Sequence, residues 1–539
     1  MAGIREHHFR RAAADIAAHG DNDTLPFDVD IRFINDKQDE LVSLAYDLST
    51  ELARGGADHA RRAIASATIF SERLLAPAGP SGFRIVTKIH PFWTIYFNGL
   101  GVAIAEALEP VRNKRVHSYR FAPQGDDLFD RSASWRAYRL ATIDHLTADD
   151  AVVVQTDISS FYERVSHHRL ENCIADLFPG DPTLAAQVDR ILSQLASGRS
   201  FGLPVGGQGS RVLAELLLSM IDQQLDAKGI KWRRYVDDFV LTTVSHEEAY
   251  SAISALSHAL ADYGLSLNRN KTTVLSAKHY RDYVRTQLGL TGNENQRLME
   301  IDLHFDPYSD NADAEFLQLR TLVETLDISA LLDLELSKSQ PDTFLVAQVG
   351  RTLRLHEPIL ALQLCRTLLS EKNLHAFRAS WSTIMRGVAA VCADKEFESI
   401  FDGLDALIDD IPVHSSHLLT VEANCLHYLR VLRVRQTTSR VKFVQSVYRS
   451  TPNHTVRRAC IDCWRNWRHR PSFTSQRNLW NSLAPEEQRM LWIAADAFGE
   501  EGDKFRKQVS RQVSQAWNLG FERTGRPSFA SIFQEWTRK

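Results

Sequence analysis

The sequence predicts an α+β fold: a mixed core of short strands and helices over residues 81–300, with a helical extension before it (1–80) and an all-α region after it (301–539). Three observations predict this. Two β-rich runs, 151–156 and 230–244, place aspartates at an end or at a bend. Between those runs the apolar residues fall at amphipathic helical spacing. Beyond about residue 315 helical spacing alone continues, with breaks near Pro341, Pro358, Pro412, Pro452, Pro471 and Pro485.

A chain of 539 residues can bury a large core, and 44% apolar with 24% charged residues is an ordinary globular composition. The formal charge of −4 excludes a globally basic protein, so a nucleic-acid surface has to arise from local clustering. Six scattered cysteines show no pairing framework and suit a reducing cytoplasm. The lone CxxC, Cys460 to Cys463, lies in a helix-like segment and reads as buried thiols, so no structural zinc is expected. The N-terminus lacks the apolar run of a signal peptide, and the most apolar window, 91–105, falls short of the roughly 18 residues a membrane span needs. A cytoplasmic location without a membrane segment is the expectation.

In chain order, residues 1–80 are rich in alanine and charge, with interruptions near Pro77 and Pro80. Residues 83–91 read as extended, 91–108 as a core helix, and 116–121 as a short extended piece among cations. The run 151–156 delivers Asp157 at a strand end. Ser166 caps a helix whose Leu170, Cys173, Ile174, Leu177 and Phe178 share one face, with His167 and His168 in its first turn expected as surface or capping residues. A second helix runs through Val212, Leu216 and Met220 to a stop at Gly229.

The hairpin of 230–244 then presents Asp237 and Asp238 at its tip, where adjacent like charges ask for a divalent cation with hard oxygen ligands, Mg²⁺ or Mn²⁺. The plainer alternative is a solvated turn. Asp157 as a third carboxylate can complete a site for two ions. Ser245 with Glu248 forms a capping box, the sheet is expected to return at 265–268, and acids dominate 294–315, where the domain boundary is placed.

Asp157 with Phe161-Tyr162, then Gly202-Leu203-Pro204-Val205-Gly206 with Ser210, then Tyr235-Val236-Asp237-Asp238, in this order and with eighty positions between Asp157 and Asp237, resemble motifs A, B and C of a reverse transcriptase. Ser118-Tyr119-Arg120 and Ser210-Arg211-x-x-Ala214-Glu215 are similar to elements of the abortive-infection and defence-associated (Abi, UG/DRT) branch of that family. Two departures stand out in motif B: Val205 replaces the usual Gln, and Arg211 rather than Pro follows Ser210.

The resemblance implies reverse-transcriptase fingers and palm, then a HEAT-like helical repeat domain. It implies DNA synthesis from dNTPs with two Mg²⁺ held by Asp157, Asp237, Asp238 and the Ile158 carbonyl, and Lys271 as the general acid toward pyrophosphate. Lys88, Arg120, Phe161, Tyr162 and Gly206 are the expected dNTP contacts, with Tyr162 excluding a ribose 2′-hydroxyl. Tyr235, Ser210 and Arg211 are expected to meet nucleic acid.

From Arg430 to Arg470 eleven arginines and lysines face a single acid, Asp462, with Tyr448, Trp464 and Trp467 interleaved. That is the composition of a single-strand-binding surface, so Arg457, Arg458, Arg465 and Arg468 are read as further nucleic-acid contacts. The alternative is helix faces paired with acids elsewhere. In the branch it resembles, the implied role is bacterial antiphage defence, with synthesis that needs no template or starts on a protein hydroxyl, a single-stranded DNA product and a homo-oligomer. Two other readings stand beside it: RNA-templated cDNA synthesis with a bound non-coding RNA, and a non-catalytic nucleic-acid-binding scaffold.

Overall fold

The computed structural model describes residues 3–79, 81–123, 127–130, 132–144, 146, 151–288, 298, 312–338, 341–522 and 527–538. Three helices come first, α1 (Glu6–His19), α2 (Val29–Asp36) and α3 (Gln38–Ser66), and then a hairpin, β1 (Ser71–Ala78) with β2 (Gly82–Ile89). The chain is thus helical only to Ser66. Pro77, read as a helix break, belongs to an edge strand, where it is tolerated, and Pro80 lies outside the described residues.

Helix α4 (Pro91–Leu108) is buried along nearly its whole length, which is why its sequence is apolar all round rather than striped. Helix α5 (Trp135–Asp144) leads into the central sheet. Its strands β3 (Val152–Asp157), β4 (Lys231–Tyr235), β5 (Asp238–Thr243) and β6 (Thr273–Ser276) lie antiparallel in the order β4-β5-β3-β6. The expected returning strand at 265–268 is displaced. Leu267 makes only an isolated bridge to Ile158, and the ladder partner of β3 is Thr273–Ser276.

The intervening helices are α6 (Phe161–Arg164), α7 (His167–Leu177), α8 (Pro182–Leu195), α9 (Gln208–Ala227), α10 (His246–Ala261) and α11 (Ala277–Gln287). Strand alternation sorts the two sheet faces. Val152, Val154, Trp232, Phe239 and Leu241 join the main core, against α9 and α10. On the opposite face Val153 and Val240 pack under Tyr138 of α5 and Tyr280 and Val284 of α11. Asp157 and Asp238 lie on this second face by the same alternation.

The region after residue 312 is helical throughout the described residues. It is continuous with the main core and packs on the N-terminal elements: Glu72 of β1 accepts from the backbone of His454 and Thr455, at 2.7 and 2.6 Å. Its six-cysteine complement with the rest of the chain is buried, Cys460 and Cys463 included. The acid-rich stretch read as a boundary lies, apart from Leu298 and the start of the helix Ala312–Glu324, outside the described residues. No helix among the described residues is long and apolar enough to cross a membrane.

Candidate active site

The hairpin register explains how three carboxylates converge. Asp238 opens β5 and is paired across the ladder with Asp157, the last residue of β3, while Tyr235 of β4 pairs with Asp238 from the other side. Val236 and Asp237 therefore form a two-residue turn. Val236 has φ +53°, a conformation a β-branched residue seldom adopts and a two-residue hairpin turn usually assigns to glycine.

A buried network compensates for that strain. Ser118 Oγ accepts from the Val236 amide at 2.9 Å, and Arg234 Nη1 donates to the Val236 carbonyl at 3.3 Å. Arg234 is fully buried. It forks onto Asp222 with Nε and Nη2, at 2.8 and 2.7 Å, and onto Glu215 at 2.7 Å. Glu215 also takes Arg112 and the Ser118 hydroxyl. The two elements 118–120 and 210–215, read separately in the sequence, thus meet around one carboxylate and hold the turn.

Burial, and then repulsion from Asp157 and Asp238, pushes the Asp237 carboxyl up to about 8. Asp238 rises to about 6 by burial and by Asp157, partly relieved by Lys271 and Arg139. Lys271 donates to Asp157 Oδ2 at 2.7 Å, and this bond holds its ammonium above the usual lysine range. Ile158 sits beside Asp157, buried. The ladder pairing of Asp157 with Asp238 and the repulsion that both exert on Asp237 place the three carboxylates at one sheet end. Their oxygen-only donors, with Lys271 and Arg139 as the nearby cations, fit Mg²⁺ or Mn²⁺.

Around the acids stand Tyr119, Tyr138, Tyr162 and Tyr235. The Tyr235 ring lies 5.9 Å from Tyr138 and 6.4 Å from Tyr119, and Tyr138 donates to the Asp238 carbonyl at 3.1 Å. Tyr162 is half-buried, and its hydroxyl is raised by burial, Tyr119 and Asp237 together.

Several expected contacts are placed elsewhere. Lys88 is buried and pairs with Asp21 at 2.6 Å and Asp28 at 2.9 Å, so it does not face a triphosphate. Arg120 is held by Glu109 at 2.5 Å and the Asn113 carbonyl at 2.7 Å. Phe161 is a core residue under the sheet. Ser210 is buried, its hydroxyl without a hydrogen-bond partner among the described residues, and Arg211 bonds to Asp23 at 2.7 Å while its guanidinium covers the Tyr119 ring. His167, expected as a surface or capping residue, is buried and bonds the Gly202 carbonyl at 2.7 Å.

Gly206 is covered by Asn22. The Asp23 amide donates to the Gly206 carbonyl at 3.2 Å, φ at Gly206 is +121°, and a Cβ there would come within 2.0 Å of Asn22 Nδ2. Gly206→Ala is therefore expected to cost about 1–3 kcal/mol, read as a lower urea midpoint, and to cost less when introduced into Asn22→Ala than into the wild type, since only the backbone part then remains. An equal cost in both backgrounds would show that Asn22 is not the obstacle.

The arginine-rich helices near the C-terminus are largely neutralised across the fold. Arg458 is buried against Asp30 at 2.7 Å, Arg457 bonds the Thr451 carbonyl and lies over Tyr448, and Arg465 meets Asp462 at 3.4 Å. Trp464 is buried, and Tyr448 donates to Gln476 and Glu487. Of the four residues read as nucleic-acid contacts there, Arg468 alone is exposed without a partner among the described residues. Sequence reading passed over Arg234, although it alternates with Trp232 on the core face, and an arginine on a core face demands buried acids.

A second cluster, His7, His8 and Glu106, brings its ligand atoms within 4.8 Å. His8 Nδ1 accepts the Arg5 amide at 3.0 Å, so Nε2 carries the proton and donates to Glu106 at 3.2 Å. The neutral ring has no lone pair left for a cation.

Residues 90–295 match the family described as Reverse transcriptase (RNA-dependent DNA polymerase), so the chain carries a reverse-transcriptase domain. No curated protein matches the chain. Among solved structures it is similar to telomerase from Candida albicans in complex with a fragment of telomeric RNA, at 12% identity over 66% of this chain and 68% of that one, with a TM-score of 0.31. Apo telomerase from Candida tropicalis gives 14% identity over 67% and 68% of the two chains, with a TM-score of 0.29.

Proposed function

We propose that this chain is a reverse-transcriptase-type DNA polymerase of bacterial antiphage defence that extends single-stranded DNA from dNTPs without a supplied template, or from a protein hydroxyl. One observation carries the catalytic part. Asp157, Asp237 and Asp238 converge at the sheet end, two of them driven toward the neutral form by burial and mutual repulsion, an arrangement a divalent pair relieves.

Asp157, Asp237 and Asp238, with the Ile158 carbonyl beside them, would hold two Mg²⁺ or Mn²⁺. Bound there, the ions supply Lewis-acid activation of the attacking hydroxyl and charge stabilisation of the leaving pyrophosphate. The protein's own parts are positional. The Ser118–Arg234 network fixes the turn that carries Asp237, and the tyrosine cluster shapes the sugar side. Lys271 keeps its proton at neutral pH, ready for the pyrophosphate oxygen released as the new P–O bond forms.

Two features support the untemplated reading. Val205 replaces the amide that motif B usually offers, and Asn22 with Asp23 covers the glycine through which a backbone would approach a base. The meeting of Ser118 with Glu215 supports the defence branch, since both elements carry that resemblance.

The test is incorporation of each labelled dNTP by purified protein with Mg²⁺, first without added nucleic acid and then with an RNA template and primer. RNase-resistant product without template is expected. Product only with RNA would make this a conventional cDNA polymerase, and no metal-dependent product under either condition would leave a binding scaffold. In the same assay Tyr162→Val is expected to narrow the preference for dNTP over rNTP by roughly a hundredfold, on the scale by which an unfilled pocket loses discrimination. An unchanged ratio removes Tyr162 from the sugar side.

A further inference from the structure

Three helices of the C-terminal region that pack one on the next each send out one arginine that meets no acid: Arg351 from Thr343–Thr352, Arg386 from Trp381–Ala393 and Arg430 from Glu422–Leu432. Arg351 bonds only Gln348, and Arg386 and Arg430 have no hydrogen-bond or ion-pair partner among the described residues. Their neighbours behave differently. Arg354, Arg433, Arg435 and Arg440 each reach a carboxylate.

Backbone contact brings the first two together. A Cβ on Gly387 would fall 2.0 Å from the Gly350 carbonyl oxygen, so the two helices cross at touching distance and the residues next to those glycines, Arg386 and Arg351, emerge side by side. The next helix is locked on by Trp381, whose indole donates to the Asn424 carbonyl at 3.0 Å. Arg386 and Arg430 are pulled below the usual arginine range by partial desolvation and then by neighbouring cations, Arg386 by Arg351 and Arg430, to about 10, by Arg433 and Arg386, while partial desolvation alone lowers Arg351. Like charges aligned without acids are unfavourable unless a polyanion covers them.

The row ends at a mostly apolar slot between the N-terminal loop and the helices Glu422–Leu432 and His454–Asn466, lined by Leu25, Phe27, Leu429 and Arg430 and by Asp28 and Asp462, whose carboxylates are taken by Lys88 and Arg433. The Phe27 ring is 42% exposed. His427 of the same helix bonds the Thr24 carbonyl at 2.8 Å, and Arg84 reaches the Thr24 hydroxyl at 2.6 Å. Asp23, the next residue back, holds Arg211 near the tyrosine cluster. The row therefore runs from the vicinity of the site onto the helical region.

We infer that Arg351, Arg386 and Arg430, with Phe27 at the slot, form a track that holds a single DNA strand, the arginines on successive phosphates and a base against the Phe27 ring. The identity of that strand as the polymerase product rests on the function proposed above; the binding itself does not.

The probe is fluorescein-labelled dT20, followed by anisotropy with the full chain in EDTA over a salt series. Arg351→Ala/Arg386→Ala/Arg430→Gln is expected to weaken binding at least tenfold and to flatten the slope of log K against log salt by about 2, three contacts at about 0.7 each. Phe27→Ala is expected to weaken binding without changing the slope. Arg386→Glu, at an exposed position, is expected to weaken binding on its own and guards against misfolding of the triple variant.

Removing Lys442, Arg449 and Arg511 instead, exposed cations off the track, is expected to leave most of the slope. The track is overturned if the wild type does not bind dT20, if the triple variant binds like the wild type, or if the control set costs as much. It is also overturned if rU20 binds tenfold more tightly, or if polyglutamate competes as well as dT20, which would point to RNA or to an acidic protein. Loss of incorporation with dT20 binding intact would count against the polymerase reading alone.

Discussion

Asp237→Asn, alone or with Asp238→Asn, is expected to abolish dNTP incorporation, by about a thousandfold or more, and yet to give a protein that melts higher than wild type at pH 8 in EDTA. The two effects share a cause. Asp237 and Asp238 are raised to about 8 and about 6 by burial and then by the charge of Asp157, with Asp238 adding to the rise at Asp237, so at high pH the fold confines carboxylates that the unfolded chain leaves in water. The folded state then holds protons that the unfolded state has already lost. Stability therefore falls as pH rises from about 4 through 8, by at most about 1.4 kcal/mol per pH unit for each proton.

A neutral amide of the same shape removes that slope along with a ligand. Mg²⁺ should flatten the pH dependence of wild-type melting, because a cation takes over from the proton, and should leave the variant unaffected. Melting curves from pH 5 to 8.5, with EDTA and with Mg²⁺, decide the matter. If the variant melts at or below wild type with the same pH dependence, the carboxylates are not in conflict and the site is not waiting for cations.

The convergence of Asp157, Asp237 and Asp238 was legible because it is local. Each aspartate ends or begins a short strand, and alternation along 151–157 and 231–243 determines which face it takes. Capping was legible for the same reason: Ser166 and Ser245 accept from the third amide along, as their spacing required. The displaced strand shows where local pattern misleads. Residues 265–268 alternate like a strand, but Asn268 gives its amide to the Asp157 carbonyl and its side chain to the following turn, so the ladder resumes only at Thr273.

Which cations are free was not legible. Lys88 finds Asp21 from 67 positions away, and Arg458 finds Asp30 from the other end of the chain. A count of arginines in a window is blind to such partners. The densest window, 430–470, is mostly consumed in clamping the helical region to itself and to the N-terminal loop. Arg351, Arg386 and Arg430, one from each of three helices, are spread too thinly along the chain to register together, and only the crossing at Gly350 and Gly387 shows that two of them are neighbours.

Arg234→Met is expected to cost about 3–5 kcal/mol of stability, the largest effect of any single substitution away from the carboxylates. The side chain is fully buried, and four hydrogen bonds from it serve Asp222, Glu215 and the Val236 carbonyl. Methionine fills the space but strands two buried acids, of which Glu215 keeps only Arg112 and Ser118 and Asp222 loses its ion-pair partner. Arg234→Lys should recover little, since one ammonium cannot fork to both carboxylates.

Restoring neutrality is the sharper test. Arg234→Met/Asp222→Leu/Glu215→Gln removes the stranded charges together and should regain much of the lost stability, while incorporation stays low because nothing then grips the Val236 carbonyl and the strained turn relaxes. A urea midpoint near wild type with activity still depressed would separate the two jobs of the network. Stability and activity recovering together would mean that the turn holds its own shape, and that Arg234 serves the core rather than the site.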